Sequence, residues 1–153
     1  MKHLRSVLLM GLFCGMLGLP LTAQENVPKL SLENVKIIFV MPMKDRMDHY
    51  LTSELVKWGR YEVTLNLRQA DAILSDVPQI DVPALLEDPS KVTRASRTSR
   101  GTAFLIDPKS QKVIWSASKN PTVSYLVHTE YKTSKDLASE LVEQMKKDAS
   151  KTK

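Results

Sequence analysis

The sequence has very little cysteine and glycine. Its 153 residues contain one cysteine, Cys14, and only two of the five glycines, Gly59 and Gly101, lie after residue 23. A single cysteine excludes an internal disulfide and a metal site built on several thiolates. Two isolated glycines cannot form a phosphate-binding loop or the strained turn that carries a nucleophilic serine. We therefore expect no nucleotide ligand and no cofactor.

The one long apolar run lies at the N-terminus. Lys2 and Arg5 precede an uncharged stretch over residues 7–19, and the segment PLTA follows, which ends in the small residue Ala23. This pattern predicts a signal peptide over residues 1–23, because about 13 apolar residues are too few to span a bilayer comfortably. We expect a periplasmic or secreted protein after cleavage near Ala23. A membrane-tethered envelope protein with an uncleaved signal anchor is the alternative.

The charge of the remaining chain is nearly balanced. Without Lys2 and Arg5, 20 of the 22 basic residues remain against 17 acidic residues, an excess of three. This excess is too small to indicate nucleic acid, which export also makes an unsuitable partner. About 130 residues suffice for one domain with its own core. We expect a flexible segment over 24–34, a single domain over 35–149 and a frayed tail over 150–153.

Hydrophobic periodicity predicts four elements in the first half of this domain. Residues 35–43 form a nearly continuous β-branched, apolar run, which is typical of a buried strand. Residues 44–58 have helical spacing, and Gly59 stands where a left-handed helix cap is expected. Alternation over 61–67 predicts a half-buried strand with Tyr61, Val63, Leu65 and Leu67 on its buried side. Residues 70–74 predict a further short strand.

The region from residue 76 to 99 is expected to be a long connection. Prolines at 78, 83 and 89 interrupt it, and its only apolar cluster is a weak one at Val82, Leu85 and Leu86. Loops of this length in a small domain are often functional.

Residues 101–118, GTAFLIDPKSQKVIWSAS, have the strongest pattern in the chain. They predict a β-hairpin whose turn begins at Asp107. We expect one face of this hairpin to carry Ala103, Leu105, Val113, Trp115 and Ala117.

The C-terminal region predicts a last helix and completes the fold. Thr133 and Asp136 have the spacing of a capping box, and an apolar stripe follows at Leu137, Leu141, Val142 and Met145. The economical packing is an α+β, two-layer sandwich. It has a mainly antiparallel sheet of four to five strands with two helices on one face.

Three ionisable residues near the first helix are the strongest candidates for chemistry. Asp45, Asp48 and His49 lie within one helical turn and could share a face as metal ligands. A small metal-dependent hydrolase is therefore an alternative function. The competing interpretation is that these residues are solvated and that Asp45 favours the positive end of the helix dipole.

Four further residues are candidates for binding. Arg94, Arg97 and Arg100 form a basic run in KVTRASRTSR, which could contact an anionic envelope component or an acidic protein, or be a solvated loop. Trp115 either fills the core between sheet and helix or is exposed to a ligand.

The hairpin also carries a resemblance. GTAFLID, a polar turn and KVIW resemble the C-terminal signature of uncharacterised small envelope lipoproteins of Gram-negative bacteria, and the segment over 70–74 is similar to the same group. The chain is more loosely similar to small domains of outer-membrane assembly proteins and to the amino-terminal domain of the Tol-system translocation protein. The resemblance implies an envelope protein without catalytic residues. The sequence differs from the lipoproteins at Cys14, which follows Phe13 instead of a small residue.

These observations favour an exported, non-catalytic binding or assembly module. Its expected partner is an envelope protein or an anionic envelope component, bound through a sheet edge or through residues 76–100.

Overall fold

A five-stranded sheet and three helices form the body of the fold. The computed structural model describes residues 30–88, 101–124 and 129–151. In chain order the elements of these residues are β1 (Ile37–Val40), α1 (Met47–Trp58), β2 (Glu62–Thr64), β3 (Ala72–Ser75), α2 (Val82–Glu87), β4 (Thr102–Asp107), β5 (Lys112–Ser118), β6 (Thr122–Ser124), β7 (Thr129–Tyr131) and α3 (Ser134–Lys151). Of the helices in these residues, none is long and apolar enough to cross a membrane.

The sheet is mixed, with the strand order β2-β1-β3-β4-β5. β1 lies between β2 and β3 and pairs with both in parallel, whereas β3, β4 and β5 pair antiparallel. The α+β class is confirmed, and the sheet is mixed, with two parallel and two antiparallel strand pairings. β1 and β2 are parallel because α1 connects them, and a helical crossover returns the chain to the end of the sheet at which β1 starts.

One face of the sheet is covered by α1 and α3, as expected. Leu51 and Leu55 of α1 pack in one cluster with Leu141 and Met145 of α3 and with Ile38 of β1. All five side chains are buried. Each fully buried aliphatic side chain contributes roughly 1.5–3 kcal/mol, and this face carries the larger of the two described core clusters.

The opposite face is partly covered by α2. Val82 and Leu85 of this helix pack with Met41 and with Ile73 of β3. Asp81 begins the helix by accepting a hydrogen bond from the Ala84 N–H. The expected long connection therefore contains a short helix, and the apolar cluster predicted there is its buried side.

The predicted hairpin of β4 and β5 is confirmed, but Val113 lies on the other face of the sheet from the one that we expected. Asp107 begins the turn and accepts hydrogen bonds from the Lys109 N–H and the Ser110 hydroxyl. A β-bulge lies between Leu105 and Ile106, so Leu105 is opposite Trp115 but Ile106 is opposite Val113. The extra residue turns Val113 to the other face, where it is 43% exposed, instead of the core face on which we expected it.

The strand β2 ends earlier than its alternating sequence predicts. It stops at Thr64, whose hydroxyl accepts a hydrogen bond from the Asn66 N–H. Asn66 in turn accepts one from the Arg68 N–H and starts a 3-10 turn over Leu67–Gln69. Leu65 was expected on the buried side, but it is 97% exposed. Local side-chain hydrogen bonds here outcompete the strand ladder.

Two further features frame α3. β6 and β7, which lie between β5 and α3 in the chain, form a separate two-stranded antiparallel sheet. Thr133 and Asp136 make the predicted capping box, because each side chain accepts a hydrogen bond from the other residue's backbone N–H. The apolar stripe of α3 is buried as predicted. The hydroxyl and the backbone N–H of Thr133 donate hydrogen bonds to the Asp136 carboxylate. These bonds favour the ionised form and lower the pKa of Asp136 below its ordinary value.

Candidate binding site

An apolar pocket of about 410 Å³ lies on the α2 side of the sheet. Phe39 and Pro42 line it from β1 and the segment after β1. The residues that follow β2, Leu65–Arg68, form a second wall, and Leu85–Glu87 of α2 form a third. Its volume is within the range of small-ligand pockets in proteins, about 300–1,000 Å³.

The strand order explains why a pocket forms at this place. The chain leaves the end of β1 toward α1 on one face, but leaves the end of β2 toward Leu67, which packs on the other face. Neighbouring parallel strands whose connections leave to opposite faces open a crevice at their carboxyl ends. The pocket lies at such a crevice, between the ends of β1 and β2.

The rim of the pocket is polar and carries both charges. The Arg68 guanidinium donates a hydrogen bond to the Leu86 carbonyl at 3.0 Å, which ties the segment after β2 to α2. A guanidinium has five N–H groups, so one bond does not exhaust it. The exposed side chains of Asn66 and Glu87 complete the rim. Donors and acceptors therefore surround an apolar floor.

Leu65 gives the pocket an exposed apolar margin. It is 97% exposed, whereas the other large exposed apolar side chains of the described residues, Val56, Val113 and Tyr131, are 61%, 43% and 73% exposed. Of these four residues, Leu65 alone lines the pocket. Single exposed apolar residues are normal, but one at the margin of an apolar cavity extends the apolar surface that a ligand can cover.

The three metal-ligand candidates lie in the first turn of α1 and just before it, and none of them lines the pocket. His49 Nε2 is 3.7 Å from Asp48 Oδ2 in the first turn of the helix. Asp45 lies in a 3-10 turn before it, with a left-handed backbone at φ 55°. In the described part of the chain, no group of three or more His, Cys, Asp or Glu side chains could hold a metal ion.

Trp115 lies in the main core cluster. Its side chain is 8% exposed and packs in the cluster under α3, and its indole N–H donates to Asp148 Oδ2 at 3.1 Å. Gln144 also donates to Asp148, and Lys119 donates to Gln144. The Trp115 hydrogen bond lowers the pKa of Asp148, with a further contribution from Gln144. The core interpretation of Trp115 is confirmed.

A second aromatic group joins the end of α1 to α3. Trp58 and Tyr61 pack edge to face with ring centroids 5.1 Å apart, and Arg60 and Lys146 lie within 6 Å of the Trp58 centroid. The Tyr61 hydroxyl donates to the Leu32 carbonyl, and burial raises the pKa of this phenol. Because both rings already have protein partners, we interpret this group as structural.

None of the described site residues named from the sequence, Asp45, Asp48, His49 and Trp115, lines the pocket, but Leu85–Glu87 belong to the segment over 76–100 through which binding was expected. Arg94, Arg97 and Arg100 lie outside the described residues, so their prediction stays a prediction. The pocket combines three segments that are far apart in sequence, and no single motif contains them. The signal that was available is the sequence from Thr64 to Arg68, where Thr64 and Asn66 are both residues that favour local turns over a strand.

The comparisons with known proteins add no identification. No family model, no curated protein and no solved structure matches this chain significantly.

Proposed function

We propose that this protein is an exported, non-catalytic binding module of the bacterial cell envelope, and that it recognises an envelope protein. The observation that carries the proposal is the pocket at the carboxyl ends of β1 and β2, with the exposed Leu65 at its margin. The location follows from the pattern of residues 1–23, in which two basic residues precede a short apolar run.

Two further properties favour binding over catalysis. The pocket is walled mainly by aliphatic and aromatic side chains, and its ionisable members are Arg68 and Glu87 at the rim. Catalysis by acid, base or nucleophile needs such groups within hydrogen-bond reach of each other and of a bound substrate. A rim of this kind orients a ligand, and an apolar floor supplies affinity.

In-cell photo-crosslinking tests the proposed function. A benzophenone amino acid at position 65 is compared with the same amino acid at Val56, an exposed aliphatic residue on α1, in cells that produce the full chain. We expect a discrete adduct with one envelope protein from position 65 only, and that protein, once purified, should form a complex with this one. Identical adduct patterns from both positions, or a complex that fails to reassemble from the purified proteins, would contradict the proposal.

A further inference from the structure

We infer that the pocket receives an apolar side chain of an extended peptide segment of the partner, which runs beside β2. This inference rests on the proposed function and adds the class of ligand and its position. It follows from three properties of the described residues: the charge of the rim, the open edge of β2 and the exposure of Leu65.

The charge of the rim favours a peptide over an anionic lipid. One cation, Arg68, and one anion, Glu87, lie at the same opening. A fatty acid or a phospholipid headgroup would gain from Arg68 but would be repelled by Glu87. A peptide backbone is neutral and offers carbonyls to Arg68 and Asn66 as well as N–H groups to Glu87. Its apolar side chain then fits the apolar floor.

The edge of β2 is placed to bind the rest of such a segment. β2 ends the five-stranded sheet, and no described strand lies beyond it. The Glu62 N–H donates to the Lys36 carbonyl on the β1 side, so the next residue, Val63, turns its N–H and C=O outward. The pocket begins directly after this strand. Addition of a peptide strand beside an adjacent side-chain pocket is a known mode of peptide recognition.

The other sheet edge is the natural competitor for a peptide strand. β5 is longer than β2, with seven residues, and no described strand pairs with its outer side. Its exposed face is mostly polar, with Lys112, Ser116 and Ser118 exposed. None of its residues lines the pocket. A strand added to β5 would therefore gain backbone hydrogen bonds without placing an apolar side chain in this pocket.

Peptide selection tests the inference on the chain as purified from the producing cells. A phage library of random linear dodecapeptides is selected against the protein, and the enriched peptides are synthesised. We expect a recurring aliphatic or aromatic residue in the enriched peptides. Replacing that residue with alanine should weaken binding at least about tenfold. Hydrogen exchange should show that the bound peptide protects the Val63 amide.

Leu65→Asp and Val56→Asp form the matched pair of variants. Both side chains are exposed, so neither change should shift the thermal midpoint, which is measured first. Leu65→Asp should weaken peptide binding at least about tenfold, and Val56→Asp should leave it unchanged. Decanoate, used as an anionic apolar probe, should not displace the peptide.

Several outcomes would overturn the inference. These are full binding by Leu65→Asp, protection of β5 amides instead of Val63, displacement by decanoate, or no enrichment of peptides at all. None of these outcomes contradicts the proposed function, because the complex detected by crosslinking can form with a folded partner and does not require a linear peptide segment. Loss of that complex, with peptide binding retained, would instead remove the proposed function.

Discussion

Replacing Trp115 tests the core between β5 and α3. The side chain is 8% exposed and packs in the main core cluster. A buried tryptophan removes on the order of 150–250 Å² from water, which at about 25 cal/mol per Å² corresponds to about 4–6 kcal/mol as an upper estimate. Truncations of large aromatic core residues cost about 3–5 kcal/mol. We expect Trp115→Ala to lose about 4 kcal/mol, a large part of the roughly 5–15 kcal/mol that stabilises a small domain.

Trp115→Phe separates the packing from the hydrogen bond. It keeps most of the buried ring but removes the N–H that donates to Asp148. We expect a loss of about 1–2 kcal/mol, because Asp148 is 29% exposed and water can replace the lost donor. Urea melts followed by far-ultraviolet circular dichroism measure both variants. In a Trp58→Phe background, Trp115 should emit at short wavelength and resist quenching. A cost below about 1 kcal/mol for Trp115→Ala, or a readily quenched indole, would refute the reasoning.

Three further predictions concern acid stability and the turns. The pKa of Asp148 in the folded protein lies below its ordinary value of about 4. Its contribution to the free energy of unfolding is therefore complete above about pH 4 and is lost as the pH falls through the folded pKa. Below about pH 4, urea midpoints should fall less steeply with pH in Asp148→Asn than in the wild type. Gly101→Ala should cost at least about 3 kcal/mol, because the φ of Gly101 is +83° and a Cβ would lie 2.5 Å from the Lys119 carbonyl oxygen. Gly59→Ala should cost about 1–2 kcal/mol, because its φ is +70° but a Cβ would have nothing within 4 Å. Equal losses at the two glycines, measured in the same melts, would contradict the role of the close contact. Asp107→Asn should cost less than about 1 kcal/mol, because the amide oxygen can still accept from the Lys109 N–H; a larger loss would show that the carboxylate itself is required.

Local signals in the sequence predicted local structure well. Gly59 ends α1 in the left-handed conformation, and its N–H donates to the Leu55 carbonyl. Asp107 starts the hairpin turn, and Thr133 with Asp136 caps α3. In each case the residue and its partner are at most four positions apart, so the sequence contains the whole interaction.

Non-local pairing could not be predicted in the same way. The alternation of apolar residues says which face a strand buries, but it does not say whether its neighbour runs parallel or antiparallel. The apolar run of residues 35–43 predicted a strand, and β1 lies there between two neighbours, but the parallel direction of both neighbours was not predicted. α2 was predictable in principle, because Asp81 and Pro83 stand at the N-cap and in the first turn of a short apolar run.

The pocket could not be predicted from the sequence for a related reason. Its three walls come from β1, from the residues after β2 and from α2, so it exists only after the sheet order is set. Leu65 lies at the margin of the pocket, but the alternation of apolar and polar residues predicted that it would be buried. Its exposure depends on Thr64 and Asn66, whose side chains accept the hydrogen bonds that end the strand at Thr64, directly before Leu65. A competing local hydrogen bond is difficult to weigh against a periodic pattern.

The position of α3 has a consequence for how the protein is made. This helix forms the last 18 residues that the structure describes, and it closes the core over β4 and β5. α3 follows β4 and β5 in the chain, so the face of these strands that it covers stays exposed during synthesis until α3 has been made. At about 5–20 residues per second, synthesis of the 18 residues of α3 alone takes about 1–4 s. During this time the apolar side chains that α3 later buries are open to contact with other chains and with chaperones.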